Sequence, residues 1–222
     1  MNNRFFYIGS NRYHYDWLHH FNQYQKLVRP GDEVLEIGSS NLKKTKDLAS
    51  YCHHLTGLEK FKEFVPEASK LKGLNIKIVH GDWHNLIKIF KNRKFDLVFA
   101  SHVIEHVKDD LSCLNQTYEI LKDKGFFFFI TPNRLRFSER VRSLFKGPRK
   151  FPYHDHLREY TKEDLIELLL KSKFRNSKIT INGFVFGING GSFYLFLKNA
   201  PYFLRQWVNF WEVIIQKEAP RA

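Results

Sequence analysis

Residues Glu33-Val-Leu-Glu-Ile-Gly-Ser-Ser-Asn-Leu42 constrain the chain more than any other stretch. Val34, Leu35 and Ile37 make a short apolar run of the kind a buried parallel strand needs. Gly38 ends it, and Ser39, Ser40 and Asn41 offer turn and N-cap side chains before a helical segment, residues 42–51. A strand that turns sharply into a helix aims backbone N–H groups and a positive helix end into one small space. Such a space suits the polar or anionic part of a nucleotide-like ligand. Glu36, near the carboxyl end of the strand, can accept hydrogen bonds from an ammonium group.

Downstream, apolar runs alternate with amphipathic segments. Residues 53–59 read as a second strand ending on Glu59, about twenty residues beyond the glycine turn. At that distance a doubly wound nucleotide fold sets an acid against ribose hydroxyls, and one carboxylate can accept from both hydroxyls of a cis-diol. Residues 76–80 make a third strand, followed by Gly81-Asp82-Trp83. Residues 95–101 make a fourth, which runs on into His102-Val-Ile-Glu105-His106. Residues 109–121 are an amphipathic helix with Leu111, Leu114, Tyr118 and Leu121 on one face. Phe126-Phe-Phe-Phe-Ile-Thr131 is a fully buried fifth strand whose phenylalanines are core. Thr161 and Asp164 predict a capped helix over residues 161–172, and residues 174–182 and 209–217 complete the strands.

These motifs, in this order, resemble the class I S-adenosylmethionine-dependent methyltransferases, of the small-molecule type that includes the ubiquinone-pathway O-methyltransferases. In that family an acidic residue and a Gly-x-Gly-x-Gly turn hold the methionine end of the cofactor. Gly38 fits the first glycine, whereas Ser40 and Leu42 stand at the second and third. The resemblance implies an α/β, Rossmann-like fold: a seven-stranded, mostly parallel sheet with helices on both faces. It implies S-adenosylmethionine as cofactor, held by Glu36, Gly38, Ser39 and Ser40, by Glu59 at the ribose, by Asp82 and Trp83 at the adenine, and alongside Ser101. It sets His106 against the acceptor as general base, since a neutral imidazole can take a hydroxyl proton near pH 7. His102 and His156 complete the candidate catalytic group. In some quinone-pathway relatives, acids and a histidine at the positions of His102-x-x-Glu105-His106 bind a divalent ion. Here the first of them is a histidine, and no resident metal is expected. The implied reaction is in-line transfer of a sulfonium methyl to a small-molecule acceptor, at oxygen more than nitrogen.

The 222 residues fit a single domain, with an N-terminal helical cap over residues 1–31 and insertions at 133–160 and 183–207 near the acceptor. Tyr13, Trp17, Leu18, Phe21, Tyr24 and Leu27 recur at helical spacing in the cap. The first insertion is rich in arginine, which suggests an anionic acceptor, and its His156 and Tyr160 resemble a segment bordering that acceptor. The second is aromatic and could hold an apolar, lipid-linked acceptor or rest on a membrane surface. A hydrophobic content of 43% without a long uncharged apolar run excludes a membrane span. The first residues carry no stretch long enough for a secretory signal, and Cys52 and Cys113 lack metal-ligand spacing, so reduced thiols and a cytoplasmic location are expected. The formal charge of +13 is spread along the chain rather than gathered into a nucleic-acid-binding arm. Three rival readings stand beside this one. An RNA or DNA methyltransferase fits the charge, but no Asn-Pro-Pro-Tyr follows the fourth strand. A non-catalytic protein that kept the fold would account for the missing glycines. A metal-dependent enzyme would use His102, Glu105 and His106.

Overall fold

The computed structural model describes residues 6–9, 12–40, 42–184, 186–189, 194–197 and 202–219. In chain order these form β1 (Phe6–Gly9), α1 (Arg12–Leu27), β2 (Glu33–Ile37), α2 (Lys43–Ala49), β3 (His54–Glu59), β4 (Ile76–His80), α3 (Leu86–Phe90) and β5 (Phe95–Ser101). There follow α4 (Asp110–Ile120), β6 (Leu121–Pro132), α5 (Phe137–Lys146), α6 (Lys162–Lys171), β7 (Lys178–Phe184), β8 (Phe186–Asn189), β9 (Tyr194–Leu197) and β10 (Phe210–Gln216). Seven strands make one sheet in the order β4-β3-β2-β5-β6-β10-β7. The neighbours from β4 through β6 pair in parallel, and β10 runs antiparallel to both β6 and β7.

Strand alternation explains how so apolar a centre is filled. In β6, Phe127 and Phe129 point to one face of the sheet, while Phe128 and Ile130 point to the other. In β5, Phe95, Val98 and Ala100 share the first face, and Leu97 and Phe99 the second. Leu86, Phe90, Leu114, Leu165 and Leu169 from α3, α4 and α6 cover the first face. Tyr24 of α1 and Leu48 of α2 cover the second. A parallel sheet buried on both sides reads in sequence as continuous hydrophobic runs, as these strands do. Thr161 and Asp164 form a reciprocal capping box that starts α6. Cys52 and Cys113 are buried and free. No helix among the described residues is long and apolar enough to cross a membrane.

Besides β6, which begins at Leu121 rather than Phe126, two segments differ from the sequence-based expectation. The N-terminal region is not purely helical: β1 precedes α1 and pairs antiparallel with β9, which also pairs with β8, in a separate three-stranded sheet. That pairing joins residues 6–9 to residues 194–197, a separation no local pattern reports. Lys173–Asn176 forms a 3-10 turn capped by Ser172, so β7 starts at Lys178 and then runs on into the glycine-bearing stretch as far as Phe184. The side chains of Tyr13, Trp17 and Leu18, and Asn41 entirely, lie outside the described residues.

Candidate functional site

The turn between β2 and α2 is built by backbone conformation. Gly38, Ser40 and Leu42 all have positive φ, at 81°, 43° and 63°. These are the three positions where the family pattern has glycine, and the geometry supplies the reason. A non-glycine residue in the left-handed region costs roughly 1–2 kcal/mol, so Ser40 and Leu42 hold a conformation that glycine adopts freely. Gly38 has a further constraint, since a Cβ there would lie 2.7 Å from Cγ2 of Val103. Gly57 of β3 allows equally close packing: its Cβ would meet Cβ of Ser39 at 2.9 Å. The expected N-cap is corrected. Leu42 holds that position without a side-chain cap, because the left-handed turn itself directs the chain into the helix.

Glu59, the last residue of β3, organises this turn. Its Oε2 accepts from the backbone N–H of Ser40 at 2.7 Å and its Oε1 from that of Phe61 at 2.9 Å. One buried carboxylate thus ties the glycine turn to the β3 exit and keeps a lone pair on each oxygen for a diol. Glu36 is buried beneath the turn. Burial pushes its carboxyl up to about 7, against a hydrogen bond from Thr45 and the charge of Lys44. Glu36 Oε2 and Ser39 Oγ are buried and have no hydrogen-bond partner. Both residues border a cavity of about 550 Å³ at the carboxyl ends of β2, β3, β4 and β5, the place where open α/β sheets bind ligands. An unpaired buried carboxylate oxygen fits an ammonium group, and an unpaired hydroxyl fits an anionic or polar neighbour.

The other predicted cofactor residues reach the same cavity. Asp82 accepts from the backbone and ring of His84 and pairs with Lys60. Burial opposes its ionisation, but these partners outweigh it and hold the carboxyl down at about 2. Trp83 forms a fixed wall, its indole N–H donating to Thr117 Oγ1 at 2.9 Å. Ser101 Oγ accepts from Lys44 Nζ at 3.2 Å. Phe61 and Phe64, about half exposed, complete the rim. Sequence reading missed both, although their place just after Glu59 is a signal that could have found them. Leu42, at the third glycine position, does not line the cavity.

The three candidate catalytic histidines lie near one another. His102 has a positive φ of 57° and sets Nδ1 3.3 Å from Glu105 Oε1, while Glu105 Oε2 accepts from Thr131. His106 donates from Nδ1 to the Asp155 carbonyl at 2.9 Å. His156 donates from Nδ1 to Glu159 Oε1 at 3.0 Å, and its ring stands edge-on to that of His106 at 4.8 Å. Ligand atoms of Glu105, His106 and His156 lie within 4.8 Å of one another, close enough to share a cation. His102 and His156 line a second cavity of about 800 Å³, which shares Lys44, His102 and Asp155 with the first. Tyr160 lines neither cavity. It is buried in the core, where its hydroxyl meets Asp110 and the Ile104 carbonyl.

One part of the second cavity has no signal in the sequence. His20 of α1 sets Nδ1 2.7 Å from Glu212 Oε1, and His19 sets Nε2 3.1 Å from Glu212 Oε2. Burial lowers His20 to about 4 despite Glu212, so the ring is neutral at pH 7, and its Nε2 is buried without a partner. Burial opposes ionisation of Glu212 as well, but the two histidines outweigh it and lower the carboxyl to about 2.

Residues 35–129 match the family described as Methyltransferase domain. A protein of Mycolicibacterium smegmatis, described as a probable S-adenosylmethionine-dependent methyltransferase, is 28% identical over 155 residues. That match covers 68% of this chain and 56% of the relative, so the chain spans little more than half of that protein's length. The YcgJ protein of Bacillus subtilis superposes with a TM-score of 0.65 at 15% identity, over 91% of this chain and 99% of that one. A SAM-dependent methyltransferase of Thermotoga maritima does so with a TM-score of 0.63 at 18% identity, over 92% and 90%. At these identities the two structures speak for the fold alone. The matched domain, the strand order and a cavity at the carboxyl edge are together those of a Rossmann-like methyltransferase fold.

Proposed function

We propose that this domain methylates an oxygen of a small, anionic acceptor held in the larger cavity. The observation that carries the reading is the lining the two cavities share, Lys44, His102 and Asp155, together with a larger cavity whose Lys44 and three arginines outnumber its acids Glu139, Asp155 and Glu159. S-adenosylmethionine, when bound, supplies a methyl group on a positively charged sulfur. Most of the acceleration in such a displacement comes from alignment, so the chain's task is to orient the acceptor oxygen. His106 is the base in this reading: with Nδ1 donating to the Asp155 carbonyl, its Nε2 carries the lone pair that takes the hydroxyl proton. His102 and His156, anchored by Glu105 and Glu159, orient the acceptor beside it. Arg136 pairs with Glu159, while Arg142 and Arg149 pair with Glu139, which fixes their guanidinium groups along one wall. The test is labelled-methyl transfer across a panel of phosphorylated and carboxylated phenols and sugars. His106→Ala should lower turnover by about 10²- to 10⁴-fold and leave S-adenosylhomocysteine affinity within about twofold. Turnover only of uncharged acceptors, or an unimpaired His106→Ala enzyme, would count against the proposal. A second reading, with RNA as acceptor, is favoured by the formal charge of +13, and a steep fall of RNA affinity with salt would support it.

A further inference from the structure

Helix α5 has two faces with different surroundings. Ser138, Glu139 and Arg142 look into the larger cavity. Val141 and Leu144 border a neighbouring groove with Arg140 and Trp207, and Leu144 and Phe145 are 82% and 83% exposed. Large apolar side chains at adjacent positions of a surface helix are seldom left so open to water without a partner. The cations near them are exposed too. Residues 134–150 hold seven basic residues and one acid; Arg136, Arg142 and Arg149 pair with Glu139 or Glu159, whereas Arg134, Arg140, Lys146 and Lys150 face solvent. Arg140 also lies over the ring of Trp207, 4.9 Å from its centroid.

We propose that α5 and the cations around it dock on an anionic membrane surface, with Leu144 and Phe145 entering the headgroup region. Charge complementarity selects this occupant. A short helix with an apolar edge and several cations gains both from burying the edge and from attraction to anionic lipid. A second copy of the chain would bring the same cations against themselves. A nucleic acid would use the cations but give Leu144 and Phe145 no apolar environment. The inference goes beyond the acceptor reading and does not rest on it.

The experiment is co-sedimentation of the full chain with vesicles of phosphatidylcholine alone and of phosphatidylcholine mixed with phosphatidylglycerol. Binding to the mixed vesicles only is expected. Leu144→Ser/Phe145→Ser should weaken it about tenfold or more while keeping the wild-type melting temperature, since both residues are exposed. Arg140→Gln/Lys146→Gln should weaken it by a similar factor and flatten its salt dependence. Absence of wild-type binding to the mixed vesicles would overturn the proposal. So would equal binding by Leu144→Ser/Phe145→Ser, the result expected of a purely electrostatic surface for RNA. A wild-type dimer that this variant converts to monomer would assign the face to a second copy instead.

Discussion

Binding of S-adenosylmethionine, the proposed methyl donor, should be coupled to release of a proton from Glu36. Burial raises this carboxyl from an ordinary value of 4.5 to about 7, so near neutral pH the free protein carries a substantial fraction of the neutral acid. Its unpartnered Oε2 is the acceptor that an ammonium group would meet, and an ammonium contact favours the carboxylate. Returning the group to its ordinary value makes binding above pH 7 stronger than binding below about pH 4.5 by about 3 kcal/mol. The proton released on binding should approach one at pH 6 and fall away as pH rises through about 7. Affinity should fall about tenfold per pH unit below 7 and level off below about pH 4.5. The assay is titration calorimetry with S-adenosylhomocysteine in phosphate and in Tris, whose ionisation enthalpies differ, so that the difference in observed heat counts protons. His102 and His106 also border the cavity. Glu36→Gln isolates the carboxyl: it should remove the buffer dependence and most of the pH dependence, and should bind less tightly at pH 8. Equal heats in the two buffers at pH 6.5, or a wild-type affinity flat from pH 8 to pH 5.5, would refute the reasoning.

Other outcomes can be checked with the same protein. Glu59→Ala should weaken S-adenosylhomocysteine by about 100-fold or more and lower the melting temperature, because it removes the proposed diol acceptor and orphans the N–H groups of Ser40 and Phe61. Equal cofactor affinity for wild type and variant would sink the ribose assignment. Gly38→Ala should cost roughly 1–2 kcal/mol in urea unfolding, from the left-handed φ and the contact with Val103, and an unchanged midpoint would disprove the constraint. Acidification should destabilise the fold in two overlapping steps. His20 is held neutral in the folded state, so the unfolded chain binds the extra proton and stability falls as pH drops from about 6.5 to about 4. Glu212 is held ionised, so its contribution is present above about 4.5 and is lost as pH falls towards 2. Imidazole ¹⁵N spectra showing a protonated His20 at pH 5.5 in the folded protein would contradict the first step.

The sequence alone determined the sheet, because burial on two faces demands long apolar runs and each run is local. Val34–Ile37, Phe95–Ala100 and Phe126–Ile130 could be read without knowing their neighbours, and Thr161 with Asp164 signalled a helix start within four residues. The spacing from Gly38 to Glu59 also carried meaning, since one βαβ unit has a nearly constant length. Tertiary structure decided what distance and desolvation control. It gave Glu59 two backbone N–H groups to hold and left one oxygen of Glu36 unpaired. It joined His20 to Glu212 across 192 residues and β1 to β9 across most of the chain. It turned Tyr160 into the core and Leu144 and Phe145 out to water. Periodicity says that a residue has an inside and an outside, but not which other segment supplies the inside. Charge states and pockets depend on that second segment, so they emerge only when the chain has closed on itself.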